Sequence, residues 1–172
     1  TDAQVSLTVE TNAYSGTYDG LPHPASGGMV VKAGGTALTD GDYTIYYTTA
    51  KPDDGNELNP SAYGSSTTMP SYTDAGSYTV YYLVDAKNYN DVADSFTVKI
   101  ARAELTLTRD VTTTKPYDST KEAASQVTNV ELTGQQNSEK ISAILASAVY
   151  NAAAVNDART ITITYTLTAK GG

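Results

Sequence analysis

Tyrosine is the side chain of this sequence best suited to contact a ligand, because the chain has 14 Tyr, one Phe and no Trp. Exposed aromatic rings stack on sugar rings, and the phenolic hydroxyl adds a hydrogen-bonding group. In two strand-like runs both faces carry a tyrosine, so some rings are expected to face outward. The predicted binding residues are Tyr43, Tyr46, Tyr47, Tyr81, Tyr82 and Tyr89. The alternative is that tyrosine replaces Phe and Trp in the core and at strand edges.

The sequence contains few residues that could act in catalysis. The sequence has no Cys and a single histidine, His23, whose neighbours Pro22 and Pro24 predict an exposed loop. A Ser-His-Asp site would need a serine hydroxyl within hydrogen-bond reach of that ring. A carboxylate pair for glycoside hydrolysis could come from the acidic residues of the first half, but a solvated acidic surface is the simpler interpretation. The sequence therefore predicts a non-enzymatic protein without a cofactor.

Two acidic turns, at residues 40–42 and 53–57, offer oxygen ligands of the type that Ca²⁺ prefers. Neither fits the twelve-residue calcium loop with its closing Glu, so turn formation by Asp and Asn is favoured and no metal site is predicted. An isopeptide cross-link from Lys32 or Lys99 is also weighed. No Lys in a first strand faces an Asn in a last strand, so ordinary exposed lysines are favoured.

The charge of the chain excludes several partners. The net charge is −8 and the pI about 4.4, whereas binding to nucleic acid needs a basic face. An anionic membrane surface is excluded as a partner for the same reason. No apolar run approaches the roughly 18 residues of a membrane helix, so no membrane insertion is predicted in this segment. The sequence begins at Thr1 and is expected to be part of a longer protein.

Alternation of apolar and polar residues is the dominant pattern, and it predicts an all-β fold. Residues 160–168 alternate without a fault, with Thr on one face and apolar side chains on the other. Residues 78–84 are apolar on both faces and predict a central strand. Residues 140–150 fit a helical spacing as well as a strand whose face carries Ile144, Ala146, Ala148 and Tyr150, and periodicity leaves both open.

The charge distribution and the strand spacing predict two domains, residues 1–101 and residues 102–172. The first has four Lys/Arg and twelve Asp/Glu, whereas the second has seven of each. Residues 101–104 are the only connection between two strand-like runs, and they contain no flexible linker.

Ordered motifs give both parts a family resemblance. Residues 14–24, with Tyr18-Asp19-Gly20, and residues 73–100, with an AGSYTVYY run, resemble the MBG-type and bacterial immunoglobulin-like repeats of large surface proteins. Residues 114–120 (TKPYDST) resemble the KxYDGT motif of the YDG domain, with Ser119 in place of Gly. The closing strand of that family is missing here because the sequence ends first, so the second module is expected either to be truncated at its C-terminus or to have an open edge.

The resemblance implies two tandem β-modules, either immunoglobulin-like β-sandwiches or β-grasp-like folds. It also favours the strand interpretation of residues 140–150. It implies a stalk or spacer segment of a bacterial adhesin-like protein, secreted or attached to the cell wall, with neighbouring repeats of the same chain as partners. The alternative function is a binding module whose exposed tyrosines contact host glycans or extracellular-matrix proteins.

Overall fold

The computed structural model describes residues 5–112, 114–154, 156, 158 and 160–169. These residues are rich in strand and contain only short 3-10 helices, at Pro60–Tyr63 and Ala124–Gln126, so the all-β prediction is confirmed. The chain forms two compact units, Thr1–Arg102 and Ala103–Gly172. No helix in the described ranges is long and apolar enough to cross a membrane.

The first unit contains nine strands in its described part. They are β1 (Leu7–Ala13), β2 (Ser15–Thr17), β3 (His23–Pro24), β4 (Ser26–Ala33), β5 (Thr36–Ala37), β6 (Tyr43–Thr48), β7 (Ser71–Tyr72), β8 (Gly76–Ala86) and β9 (Val92–Ala101). Four of them form an open sheet in the order β2-β9-β8-β6, and three form a second sheet in the order β1-β4-β5. Strands β3 and β7 pair separately. Every pairing is antiparallel except β2 with β9, which is parallel.

Strand β8 is central in its sheet, as its two apolar faces predict. One face carries Val80, Tyr82 and Val84, which join a buried cluster with side chains of β9 and of β1 and β4. The other face carries Leu83, which is 0% exposed. The segment between β6 and β7, including its 3-10 helix, packs against β6 and β8. Both faces of the strand are therefore buried, which explains its unbroken apolar sequence.

The second unit contains four strands in its described part. They are β10 (Thr106–Val111), β11 (Val127–Thr133), β12 (Ile141–Tyr150) and β13 (Ile161–Ala169). Strand β10 pairs with β11, and β12 pairs with β13, both antiparallel. The buried core among these residues is small and consists of Ala123, Val127 and Ala148.

Residues 141–150 form a strand, so the helical alternative is wrong. The pairing of β12 with β13 shifts between Leu145 and Ser147, where β12 carries one extra residue. A bulge of this kind moves the following side chains to the other face. Before the bulge the half-buried side chains are at odd-numbered positions. After it the buried side chain is at an even-numbered position, Ala148. The prediction that Ile144 shares one buried face with Ala148 is therefore wrong, since Ile144 is 54% exposed.

The two units repeat one order of pairing. In each, a first strand pairs antiparallel with the strand that follows a Tyr-Asp sequence, as β1 does with β4 and β10 with β11. Both pairs are interrupted by one extra residue in the second strand. Each extra-residue segment has a residue with positive φ, Gly28 at 149° and Asn129 at 50°. The next two long strands then pair antiparallel, as β6 with β8 and β12 with β13.

The covered face of β8 predicts a large effect of one core truncation. Leu83→Ala is expected to destabilise the first unit by about 2–5 kcal/mol, because the site is enclosed on both sides. Leu58→Ala is the matched control, since Leu58 is 56% exposed, and it is expected to stay within about 0.5 kcal/mol of the native chain. Urea denaturation measures the free energy of unfolding of both variants. Equal and small losses would show that the segment between β6 and β7 does not cover this face.

Candidate functional site

Five of the six tyrosines proposed for binding lie in β6 and β8, on two faces of the same sheet, and Tyr89 lies in the turn between β8 and β9. Tyr47 and Tyr82 are opposite one another in β6 and β8, and they are 9% and 3% exposed. Burial raises the pKa of Tyr82 to about 12, so its hydroxyl keeps its proton. Tyr43 and Tyr89 are half-buried and pack against the same core. These four rings serve packing, which is the alternative that the missing Phe and Trp suggest.

Tyr46 and Tyr81 lie on the opposite face of the sheet and are also half-buried. Tyr81 lines a cavity of about 120 Å³ with the buried Tyr63. Ligand pockets usually measure about 300–1,000 Å³, so this space is small for a sugar. The hydroxyl of Tyr63 donates a 2.8 Å hydrogen bond to the carbonyl of Glu57. The structure therefore does not bring the six predicted residues together on one exposed surface.

The Tyr117-Asp118 turn of the second unit is a compact arrangement of charged and polar groups. One Asp118 oxygen accepts hydrogen bonds from the backbone N–H and the hydroxyl of Thr120, both 2.9 Å. The Lys115 ammonium lies 2.9 Å from the other oxygen. It also donates to the Thr120 hydroxyl and to the Glu122 carbonyl, at 3.1 and 2.6 Å. Lys115 thereby joins both sides of the turn. Its side chain is largely buried, with 12% of its surface exposed.

The first unit contains the equivalent turn at Tyr18-Asp19. An Asp19 oxygen accepts a 2.9 Å hydrogen bond from the backbone N–H of Leu21, as Asp118 does from Thr120. His23 takes the place of the lysine, with its Nε2 atom 2.9 Å from Asp19. Its ring stacks on Tyr14, with centroids 4.2 Å apart. The expectation of an exposed loop histidine is wrong, because His23 lies in β3 and its side chain is 20% exposed.

Both aspartates are held in the ionised form. The hydrogen bond from Lys115, followed by that from the Thr120 backbone, lowers the pKa of Asp118 to about 2. The hydrogen bond with His23, followed by that from the Leu21 backbone, also lowers the pKa of Asp19. Donors that surround a carboxylate favour its charged state. Each aspartate thus fixes its own turn through hydrogen bonds that favour its ionised form.

The residue after each aspartate has left-handed backbone geometry, with φ 74° at Gly20 and 62° at Ser119. Glycine reaches this region without a steric penalty, whereas a side chain costs roughly 1–2 kcal/mol there. This explains why a Tyr-Asp-Gly sequence suits the turn and why Ser119 is a departure that carries strain.

A cavity of about 240 Å³ adjoins the Tyr117-Asp118 turn. It is lined by residues 114–118 together with Tyr150 and Ala158. Tyr117 is 64% exposed. The Lys115 ammonium lies 5.8 Å from the centre of the Tyr150 ring, which is within the range of a cation–π contact.

The acidic turns considered for calcium are occupied by internal hydrogen bonds. Asp42 accepts from the hydroxyl of Thr39 at 2.7 Å, and Glu57 accepts from the backbone N–H of Gly55 at 2.8 Å. Among the described residues, no three His, Cys, Asp or Glu side chains are grouped so that they could hold a metal ion. Lys32, considered for a cross-link, lies 2.5 Å from Glu10.

Sequence reasoning missed the partners of the two turn aspartates. The available signal was spacing, because Lys115 precedes Asp118 by three residues and His23 follows Asp19 by four. Such spacing is common by chance, and only the fold shows that these pairs close a turn.

Comparison with known families detects a YDG domain in residues 101–172, the part of the chain where the TKPYDST sequence carries the resemblance. No curated protein matches the chain, and no solved structure does.

The strain at Ser119 predicts a stabilising substitution. Ser119→Gly is expected to stabilise the second unit by about 0.5–1 kcal/mol, since glycine removes the left-handed penalty but loses more entropy on folding. Gly20→Ser is the reciprocal control and is expected to destabilise the first unit by a similar amount. Denaturant unfolding followed by NMR resolves the two units. Destabilisation by Ser119→Gly would contradict the assigned geometry.

The lowered pKa of Asp118 predicts an acid-sensitive second unit. Because the folded pKa is about 2 and the ordinary value 3.8, protons bind more tightly to the unfolded chain between these values. The stabilisation from Asp118 is therefore complete above about pH 4 and is lost as the pH falls toward 2. Unfolding measured from pH 6 to pH 2 tests this. Asp118→Asn is expected to flatten that part of the profile, and an unchanged slope would contradict the assignment.

Proposed function

We propose that this chain is a non-enzymatic, load-bearing segment, a stalk or spacer, of a large bacterial cell-surface protein. The proposed domains are residues 1–101 and residues 102–172, each a small sandwich-like or β-grasp-like module. The parent protein is secreted or attached to the cell wall, and its neighbouring repeats are the expected partners. The detected YDG domain and the repeated order of strand pairing support this proposal.

One observation carries the mechanical part of the proposal. Near the start of the first unit, β2 pairs in parallel with the end of β9, where the chain leaves the unit. The Lys99 N–H donates to the Tyr14 carbonyl at 3.1 Å, and the Tyr18 N–H donates to the Ala101 carbonyl at 2.8 Å. Tension between the two ends pulls parallel strands in opposite directions along their length. The bonds between them are loaded together, whereas pulling strands apart from one end would break them one by one.

The placement of the reactive side chains also favours a structural role over a binding role. The predicted tyrosines are buried or half-buried and lie on two sheet faces and in a turn. The aspartates of both turns accept hydrogen bonds from neighbouring donors. Side chains used in this way stabilise the fold without presenting a surface to a ligand. The alternative of a glycan-binding module needs several rings exposed together, and the six residues do not supply them.

Single-molecule extension of the intact chain tests the proposal. Two separate unfolding steps are expected, of about 30 nm for the first unit and about 20 nm for the second, from about 0.34 nm per extended residue. Gly16→Pro is expected to lower the force of the longer step by about a quarter, because alternation places the Gly16 N–H in the bonds to β9.

Thr17→Pro is the matched control, since the Thr17 N–H points away from β9 by the same alternation. It is expected to leave the unfolding force unchanged. A smooth extension at low force without steps would contradict a load-bearing role. A saturable glycan or matrix-protein ligand, lost in Tyr46→Ala or Tyr81→Ala, would replace it with the binding role.

A further inference from the structure

We propose that Tyr72 and Tyr78 of the first unit are a site of oxidative cross-linking, at which a peroxidase acting with hydrogen peroxide joins the two rings into a dityrosine. Tyr72 lies in β7 and Tyr78 in β8, so the product is a covalent bond between two strands. The chain has no Cys and therefore forms no disulfide of its own. The proposal concerns a modification site and does not depend on the load-bearing role of the unit.

The two rings are in contact in the folded chain. Their centroids lie 4.0 Å apart and their planes differ by 13°, so the rings are stacked almost parallel. At this separation the carbon atoms of one ring lie near van der Waals distance from those of the other. Radicals formed on the two side chains therefore meet without any rearrangement of the backbone.

A hydrogen bond and close packing hold Tyr78 in the stack. Its hydroxyl donates a 2.8 Å hydrogen bond to the carbonyl of Asp74. The ring lies over Gly76, where an added Cβ atom would be 2.9 Å from the hydroxyl oxygen and from the ring carbon that carries it. A larger residue at this position would displace the ring. The glycine thus provides the space that the stacked position of Tyr78 requires.

Tyr72 is held by the pairing of β7 with β3 and by the core. It is opposite His23 in the strand pair, and its side chain packs against the buried residues of the first unit. Burial raises the pKa of Tyr72, and the neighbouring Tyr78 raises it further. The two hydroxyls are close enough to interact, which agrees with a stack in which the ring carbons beside the hydroxyls face each other.

The coupling reaction balances with hydrogen peroxide as the oxidant. Each tyrosine loses one electron and its phenolic proton, which leaves unpaired spin on the ring carbons ortho to the oxygen. A carbon–carbon bond forms between one such carbon of each ring. The hydrogens on these two carbons then move to the oxygens and restore both phenols. The two electrons and two protons that were removed reduce one hydrogen peroxide to two waters.

Two other tyrosines of the unit contact rings that are not phenols. Tyr14 stacks on His23, and Tyr82 contacts Phe96 at a centroid distance of 6.1 Å. Those pairs lack the second phenol that the coupling consumes. Tyr72 and Tyr78 are both half-buried, so part of each ring is open to an oxidant in solution.

The cross-link would attach a short strand pair to the centre of the unit. Strands β3 and β7 have two residues each, whereas β8 has eleven and lies inside the four-stranded sheet. A two-residue pair has few hydrogen bonds to resist separation. A covalent bond from β7 to β8 therefore adds a connection where backbone pairing is weakest.

Treatment of the intact chain with peroxidase and hydrogen peroxide tests the site. We expect dityrosine fluorescence and a chain that has lost two hydrogen atoms. Cleavage before Asp74 is expected to leave its two fragments joined, because Tyr72 and Tyr78 lie on either side of the cut. In denaturant, where the rings are no longer held together, the yield of this link is expected to fall about tenfold.

Tyr78→Phe is expected to abolish the link, because phenylalanine has no phenol to oxidise. Tyr14→Phe is the matched control. Tyr14 is also half-buried and also lies over a glycine, Gly16, but it stacks on a histidine. This variant is expected to give the same yield as the native chain.

Three results would overturn the proposal. The first is no loss of two hydrogen atoms while Met29 and Met69 gain oxygen, which would show that the oxidant acted on the chain without coupling the rings. The second is an equal yield in Tyr78→Phe or in denaturant. The third is a link that forms only between two chains. The force measurements on the unoxidised chain are independent of all three, so failure here and failure of the stalk role are distinguished.

Discussion

The hydrogen bonds that hold β9 between β8 and β2 are the constraint on which the first unit depends. They connect the residues that precede the first turn to the last residues of the unit, and they place Phe96, Val98 and Ile100 in its core. The burial of these apolar side chains and the strand order β2-β9-β8-β6 thus both depend on one strand. Without an equivalent of β9 in its described part, the second unit has a core of three small or medium side chains and an exposed Leu167. Among the described residues, the buried core of the first unit is thus larger partly because β9 contributes three apolar side chains to it.

The two Tyr-Asp turns show how a short sequence fixes its conformation with charge. Each aspartate accepts a hydrogen bond from the backbone two residues later and is held by a nearby basic side chain, Lys115 or His23. The donors stabilise the carboxylate, and the left-handed residue that follows lets the chain reverse. Two different basic residues, on opposite sides of their aspartates in the sequence, perform the same task. The motif therefore specifies the turn, and its partner is supplied by the surrounding fold.

Much of the fold was accessible from the sequence, because alternation reports directly which strand faces are buried. The Thr-Ile alternation of residues 160–168 predicts β13, and the double apolar face of residues 78–84 predicts the central strand. The candidate site was less accessible. Whether Tyr46 or Tyr47 faces the core depends on pairing register, and the burial of Tyr46 depends on segments distant in sequence. The extra residue between Leu145 and Ser147 was also hidden, since a bulge changes the period of the apolar pattern locally. These features arise from tertiary contacts that local sequence does not encode.

Native-state hydrogen exchange of the Tyr18 and Lys99 amides tests the central constraint most directly, because these two groups bond β2 to β9. If the pairing holds the first unit together, both amides exchange only when the whole unit unfolds. Their opening free energies then equal that of the central β8 amides and fall in parallel with them as denaturant is added. Opening free energies well below that of β8, independent of denaturant, would show that this pair frays on its own. The first unit would then be held together by its core and not by the bonds between its first and last strands.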